Sequence, residues 1–189
     1  MRRLHPVPLW RLLLILPLWL AASLPVPAQT PPLSMERSVK AAFLYKFLGY
    51  VESTPSLPLD PGAPLTVGLL GADDIAAELS RVTQGRTVNG HALLVRVLHE
   101  GDGPAGLQLL FVGAEQTARA GPLLRAAQLA GVLSVTEAGN GLQAGGVINF
   151  RLVDQHIRFE VSLDAAERSN IKLSSRLLSV AYAVLKSGS

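Results

Sequence analysis

The sequence predicts a single α/β domain: a mainly parallel sheet flanked by helices, with a C-terminal antiparallel hairpin. Three observations predict it. Between residues 65 and 136 short apolar runs alternate with helical stretches, the order of strand–helix–strand units that build a parallel sheet. Residues 147–161 then alternate in polarity on either side of Asp154-Gln155, which ends the alternation of strand and helix and reads as a hairpin added at one edge. No cysteine occurs in the 189 residues, so no disulfide can staple the fold and an aliphatic core must hold it.

The chain opens on Met1-Arg2-Arg3, continues in a leucine-rich run from Leu9 to Leu24 and reaches Val26-Pro27-Ala28. A basic start, an apolar core and small residues before a cut describe a secretory signal peptide, residues 1–28, cleaved after Ala28. Pro17 interrupts the apolar run, which at about 16 residues is shorter than the ~20 that span a bilayer. Cleavage leaves 161 of the 189 residues, enough for one domain with an ordinary core. It also removes Arg2, Arg3 and Arg11, which takes the 17 Lys+Arg down to 14, equal to the 14 Asp+Glu. The basic character of the whole chain therefore belongs to the leader, and it points to neither nucleic acid nor an anionic membrane as partner.

Residues 29–37, with Pro31-Pro32, read as a flexible lead-in to the domain at 38–189. In 38–51, Val39, Phe43, Phe47 and Tyr50 recur at helical spacing, and Leu44 and Leu48 widen the stripe until most of the circumference is apolar. Such a helix needs cover on several sides, from the core or from a partner. Prolines at 55, 58, 61 and 64 make 52–64 a stiff connector. A strand at 65–71 follows, then a helix at 75–82 that Asp73 or Asp74 can cap. Strands at 92–98, 107–112 and 132–136, with a helix at 121–130, complete the alternating part. In the hairpin, Val147, Asn149 and Arg151 fall on one face, and Ile148, Phe150 and Leu152 on the other. A polar connector, residues 164–172, leads into a serine-capped apolar helix near Ser174.

Chemistry is sparse. Gly71-Ala72-Asp73-Asp74 lies between strand and helix, where phosphate can bind, but two carboxylates already use the positive helix end. The glycines from Gly139 to Gly146 lead into a strand, so they offer no helix N-terminus to a dinucleotide. His91, His99 and His156 are scattered, and no nucleophile elbow occurs, so no catalytic residue, metal ligand or cofactor is assigned. Glu160 on the hairpin, with Arg168 and Lys172 on the connector, forms a polar mouth suited to a zwitterionic ligand or a partner's side chain, or else an ordinary surface ion-pair cluster.

Several stretches share one order and spacing: Val39-Lys40-Ala41-Ala42-Phe43-Leu44-Tyr45-Lys46-Phe47, Val67-Gly68-Leu69-Leu70-Gly71, Val88-Asn89-Gly90, Leu110-Phe111-Val112-Gly113, the paired Gly145-Gly146, Phe159-Glu160-Val161 and the helix start at 175–181. Together they resemble the YfiR family of periplasmic repressors of membrane-bound diguanylate cyclases. The resemblance implies a periplasmic domain, often a homodimer, that binds the periplasmic region of an inner-membrane diguanylate cyclase, lowering cyclic di-GMP and biofilm formation without catalysis. It implies an OmpA-like outer-membrane lipoprotein that sequesters the repressor. It also implies a pocket for that lipoprotein or a small aromatic ligand, carried here by Glu160, Arg168, Lys172 and Ser174. The chain departs from well-studied members in having no cysteines, from many relatives in lacking a Trp-Pro step after the first helix, and from the best-known relative in carrying Ser174 in place of an imidazole and Lys172 in place of a guanidinium. Beside repression stands a second class of function, a periplasmic small-molecule sensor gating a membrane partner.

Overall fold

In the computed structural model, residues 33–58, 60 and 62–186 are described; the expected signal peptide, residues 1–28, lies outside them. The first helix, α1, runs Leu33–Gly49. It starts within the stretch expected to be a flexible lead-in, because local pairs support an additional turn: Lys40 meets Glu36 at i,i+4, and Arg37 Nε donates to the Leu33 carbonyl. It stops at Gly49, where the chain turns into a short strand, β1 (Val51–Ser53), so the front of the expected connector is strand.

The alternating part then unfolds as β2 (Leu65–Leu70), α2 (Asp73–Thr83), β3 (Thr87–Val88), β4 (His91–Leu98), β5 (Leu109–Val112), α3 (Ala114–Thr117), α4 (Gly121–Leu129) and β6 (Leu133–Thr136). Two details differ from expectation. The cap position of α2 is Ala72, with no side-chain cap; Asp73 and Asp74 lie in the first turn and act on the helix's positive end from within it. Asn89 and Gly90, both at positive φ, close a tight β3–β4 hairpin that an Asn-Gly pair between apolar runs foreshadows.

The C-terminal part comprises β7 (Ile148–Val153), β8 (His156–Ser162), α5 (Leu163–Arg168), β9 (Lys172–Leu173), α6 (Ser175–Val180) and β10 (Ala183–Leu185). Among the described residues eight strands form one sheet in the order β10-β8-β7-β6-β5-β2-β4-β3, and β1 pairs with β9 in a separate antiparallel ladder. Strands β4, β2, β5, β6 and β7 run parallel, and β8 returns antiparallel through Asp154 and Gln155, both at positive φ. The hairpin does not end the sheet: β10 lies beyond it, parallel to β8.

Side chains alternate between two cores. Val67, Leu69, Phe111, Val135, Ile148, Phe150, Phe159 and Val161 join Leu44 and Phe47 of α1 and Leu79 of α2 in the larger one. Leu98, Leu110 and Val112 meet Leu124 and Ala127 of α4 in the smaller. Over the hairpin, Phe43 and Phe47 of α1 contact Phe150 and Phe159, with ring centroids 5.1–6.0 Å apart across the helix–strand contact. The aromatic helix is therefore core-packed on that side. Among the described residues no helix is long and apolar enough to cross a membrane.

Candidate functional site

In open parallel sheets a ligand commonly lies beyond the carboxyl ends of the strands, where the strand order reverses. Here the order reverses around β2, between β4 and β5. The crevice beyond β2 is already furnished by the protein itself. Lys40 Nζ sits 2.5 Å from Glu36 and 2.6 Å from Glu137, and Glu137 also accepts from the Ala114 amide at the start of α3. Burial of Lys40 works against its charge, but the hydrogen bonds to Glu137 and Glu36 outweigh it and hold the ammonium above the ordinary lysine value. A carboxylate thus takes the place an anionic ligand would use. This triad ties α1 to the sheet.

A different cavity opens on the sheet face away from α1. Its floor follows from register. Thr136 pairs with Asn149 across β6–β7, and Asn149 with Glu160 across β7–β8, so three polar side chains form a row on a sheet whose other face is apolar. Thr136 and Asn149 are buried, at 0% and 1% exposure. The Thr136 hydroxyl donates to Asn149 Oδ1 at 2.8 Å. The Asn149 amide nitrogen is buried and has no hydrogen-bond partner among the described residues, a costly arrangement for a donor. Gly141 closes over the pair, where a Cβ would run into both the Thr136 hydroxyl and the Asn149 carbonyl oxygen.

The walls come from three elements. Arg151, two residues beyond Asn149 on β7, lies 3.6 Å from Glu160, whose side chain is 15% exposed. Ser162 caps α5 by accepting from the Ala165 amide, and the helix places Asp164 in its first turn and Arg168 in its last, each sign suited to its helix end. Leu185 and Lys186 enter from β10 and just past it, and Gly139, Leu142 and Gln143 from the loop after β6. The cavity measures about 520 Å³.

Two of the residues assigned from the resemblance, Glu160 and Arg168, line this cavity together. Lys172 and Ser174 are held elsewhere. β9 carries Lys172 to the β1 ladder, where its Nζ lies 3.1 Å from Glu52. Ser174 spends its hydroxyl as the cap of α6, accepting from the Leu177 amide, while its own amide donates to the Tyr50 carbonyl. Sequence reasoning missed Asn149 and Arg151 as site residues, although a two-residue turn at Asp154-Gln155 sets Asn149 opposite Glu160. Lys186 carries no local signal, because only the β8–β10 pairing brings it in.

A family model described as YfiR/HmsC-like matches residues 37–182, which includes every strand of the large sheet except the last. No curated protein matches the chain. Among solved structures, the chain is similar to a conserved domain protein from Vibrio cholerae O1 biovar eltor, at 11% identity and a TM-score of 0.54 over 79% of this chain. The match spans 60% of that protein's length, and at this identity it speaks for the fold alone.

Proposed function

The chain belongs to the YfiR/HmsC-like family, and from that premise we propose that it is a periplasmic negative regulator which binds the periplasmic region of an inner-membrane diguanylate cyclase. The observation that carries this reading is the family match over residues 37–182, almost the whole described domain. Regulation by such a domain needs no bond-breaking chemistry. It needs a surface that prefers the inactive conformation of the cyclase, because a ligand with equal affinity for both states shifts nothing. An OmpA-like outer-membrane lipoprotein competing for the same surface would release the cyclase, and a homodimer would present that surface twice.

The test is deletion of the gene with the neighbouring cyclase expressed. Cyclic di-GMP and biofilm mass should rise, and re-expression should restore the lower level. An unchanged nucleotide level in the deletion strain would refute the reading.

A second reading is favoured by one observation, the Asn149 amide nitrogen at the floor of a polar cavity, which has no hydrogen-bond partner among the described residues. In it the domain senses a small molecule and passes its occupancy to the membrane partner. The two readings are compatible, since a ligand in the cavity between β7, α5 and β10 would adjust the C-terminal surface.

A further inference from the structure

We infer that the cavity on the polar face of the hairpin takes a small, hydrophilic monocarboxylate, held by the Asn149 amide and the Arg168 guanidinium. The inference rests on reading the cavity as a ligand site, and it is independent of which membrane protein the domain regulates.

The argument begins with the groups left unspent. Arg151 is neutralised by Glu160 at 3.6 Å, and Lys186 Nζ lies 3.0 Å from Glu167 outside the cavity. Arg168 faces the same space with no ion-pair partner among the described residues. Asn149 presents an amide nitrogen that is buried and has no hydrogen-bond partner among the described residues, with its oxygen committed to Thr136. The two unspent groups are both donors, and one is a cation. A ligand must therefore supply acceptors and negative charge, which a carboxylate does in a form matched to a guanidinium fork.

The rest of the lining sets the class. Glu160 and Asp164 border the space beside the cations, so a ligand with a single negative charge fits it better than the doubly charged phosphate, which would meet both carboxylates. Among the described residues no aromatic side chain borders it, and Leu142 and Leu185 are its large apolar neighbours, so a ring finds no face to stack on there. Gln143 and Ser162 offer further polar contacts suited to hydroxyls. A volume of about 520 Å³ accommodates hydroxy acids up to the size of a sugar acid.

The experiment is isothermal titration calorimetry of the purified protein with lactate and gluconate, with lactamide and glucose as neutral counterparts and phenylacetate as the aromatic one. Saturable binding of at least one hydroxy acid is expected, with its neutral counterpart and phenylacetate weaker. Loss of a charge-assisted contact in Arg168→Gln should weaken binding about tenfold to a hundredfold. Asn149→Asp, which turns the donor into a charged acceptor, should abolish it with the circular dichroism spectrum unchanged. If Asn149→Asp fails to fold, Arg168→Gln decides alone, since Arg168 is exposed. Absence of saturable binding to folded wild type, equal binding by Arg168→Gln, or tighter binding of phenylacetate would overturn the inference. Co-purification with the cyclase, measured on the same variants, separates this outcome from failure of the regulator reading.

Discussion

The two faces of the β7–β8 hairpin are made by the same residues taken alternately, and they behave in opposite ways. On one, Ile148, Phe150, Phe159 and Val161 are at most 2% exposed beneath the phenylalanines of α1. On the other, Asn149, Arg151 and Glu160 surround a polar cavity. Alternation alone separates core from site, because successive side chains in a strand point to opposite faces. Register is then the variable that matters: a slip by one residue would put Asn149 and Glu160 under α1 and four apolar side chains into the cavity. The turn at Asp154-Gln155 protects against that slip by pairing Val153 with His156 directly.

The largest effect should come from breaking the apolar face. Phe47 is 1% exposed and lies 5.1 Å from Phe159 and 5.8 Å from Phe150, ring centre to ring centre. Phe47→Ala removes a ring from a packed cluster and should cost about 3–5 kcal/mol in urea unfolding. A cost near zero would mean that α1 does not cover the hairpin in solution. Gly141→Ala attacks the polar face instead. Its methyl group would collide with Thr136 and Asn149, so the roof loop must shift, at about 1–3 kcal/mol in the same assay. The two variants should also differ in kind: Phe47→Ala loosens the whole domain, whereas Gly141→Ala should protect the hairpin amides almost as well as wild type in hydrogen exchange.

This contrast also explains how much was legible in the sequence. The sheet class and the hairpin could be read because both depend on local pattern, and so could the serine cap at Ser174. Asn149 was visible as a face partner of Arg151, and the two-residue turn places it opposite Glu160; what the pattern lacked was a reason to treat a strand asparagine as a site. Lys172 could not be placed, because its position depends on pairing with Val51–Ser53, more than a hundred residues earlier in the chain. Ala183–Leu185 could not be told from the continuation of an apolar helix, since a run this short has no distinguishing period. Its place beside β8 is a tertiary fact, and with it comes Lys186.

A smaller effect concerns how α1 is seated on its face. Glu78 of α2 accepts hydrogen bonds from Arg81 and from Ser38 of α1, and these hold its carboxyl down at about 2, from an ordinary 4.5. A carboxyl lowered on folding stabilises the fold above its unfolded value, and that contribution is lost as pH falls from about 4.5 toward 2. The advantage of wild type over Glu78→Gln should therefore be present at about pH 6 and shrink steadily below about pH 4.5 in parallel denaturation series. An advantage that stays constant to about pH 3 would show that the Arg81 and Ser38 contacts together do not favour the ionised form.

The smallest expected change in stability is the one that best separates site from scaffold. Among the described residues Glu160 and Lys172 each have one ion-pair partner, Arg151 at 3.6 Å and Glu52 at 3.1 Å, and both partners are partly exposed. Pairs of this kind are worth ~0–1 kcal/mol, so Glu160→Gln and Lys172→Gln should both fold nearly as stably as wild type. Their consequences for recognition should diverge. Removing the Glu160 charge frees Arg151 beside Arg168, adds a net positive charge to the cavity and should tighten any carboxylate bound there. Removing the Lys172 charge acts only on the β1–β9 ladder, away from the cavity, and should leave calorimetric affinity unchanged. Equal effects from the two variants would mean that the residues between β8 and α6 recognise ligand as one group, and that the geometric separation of Glu160 from Lys172 has no functional meaning.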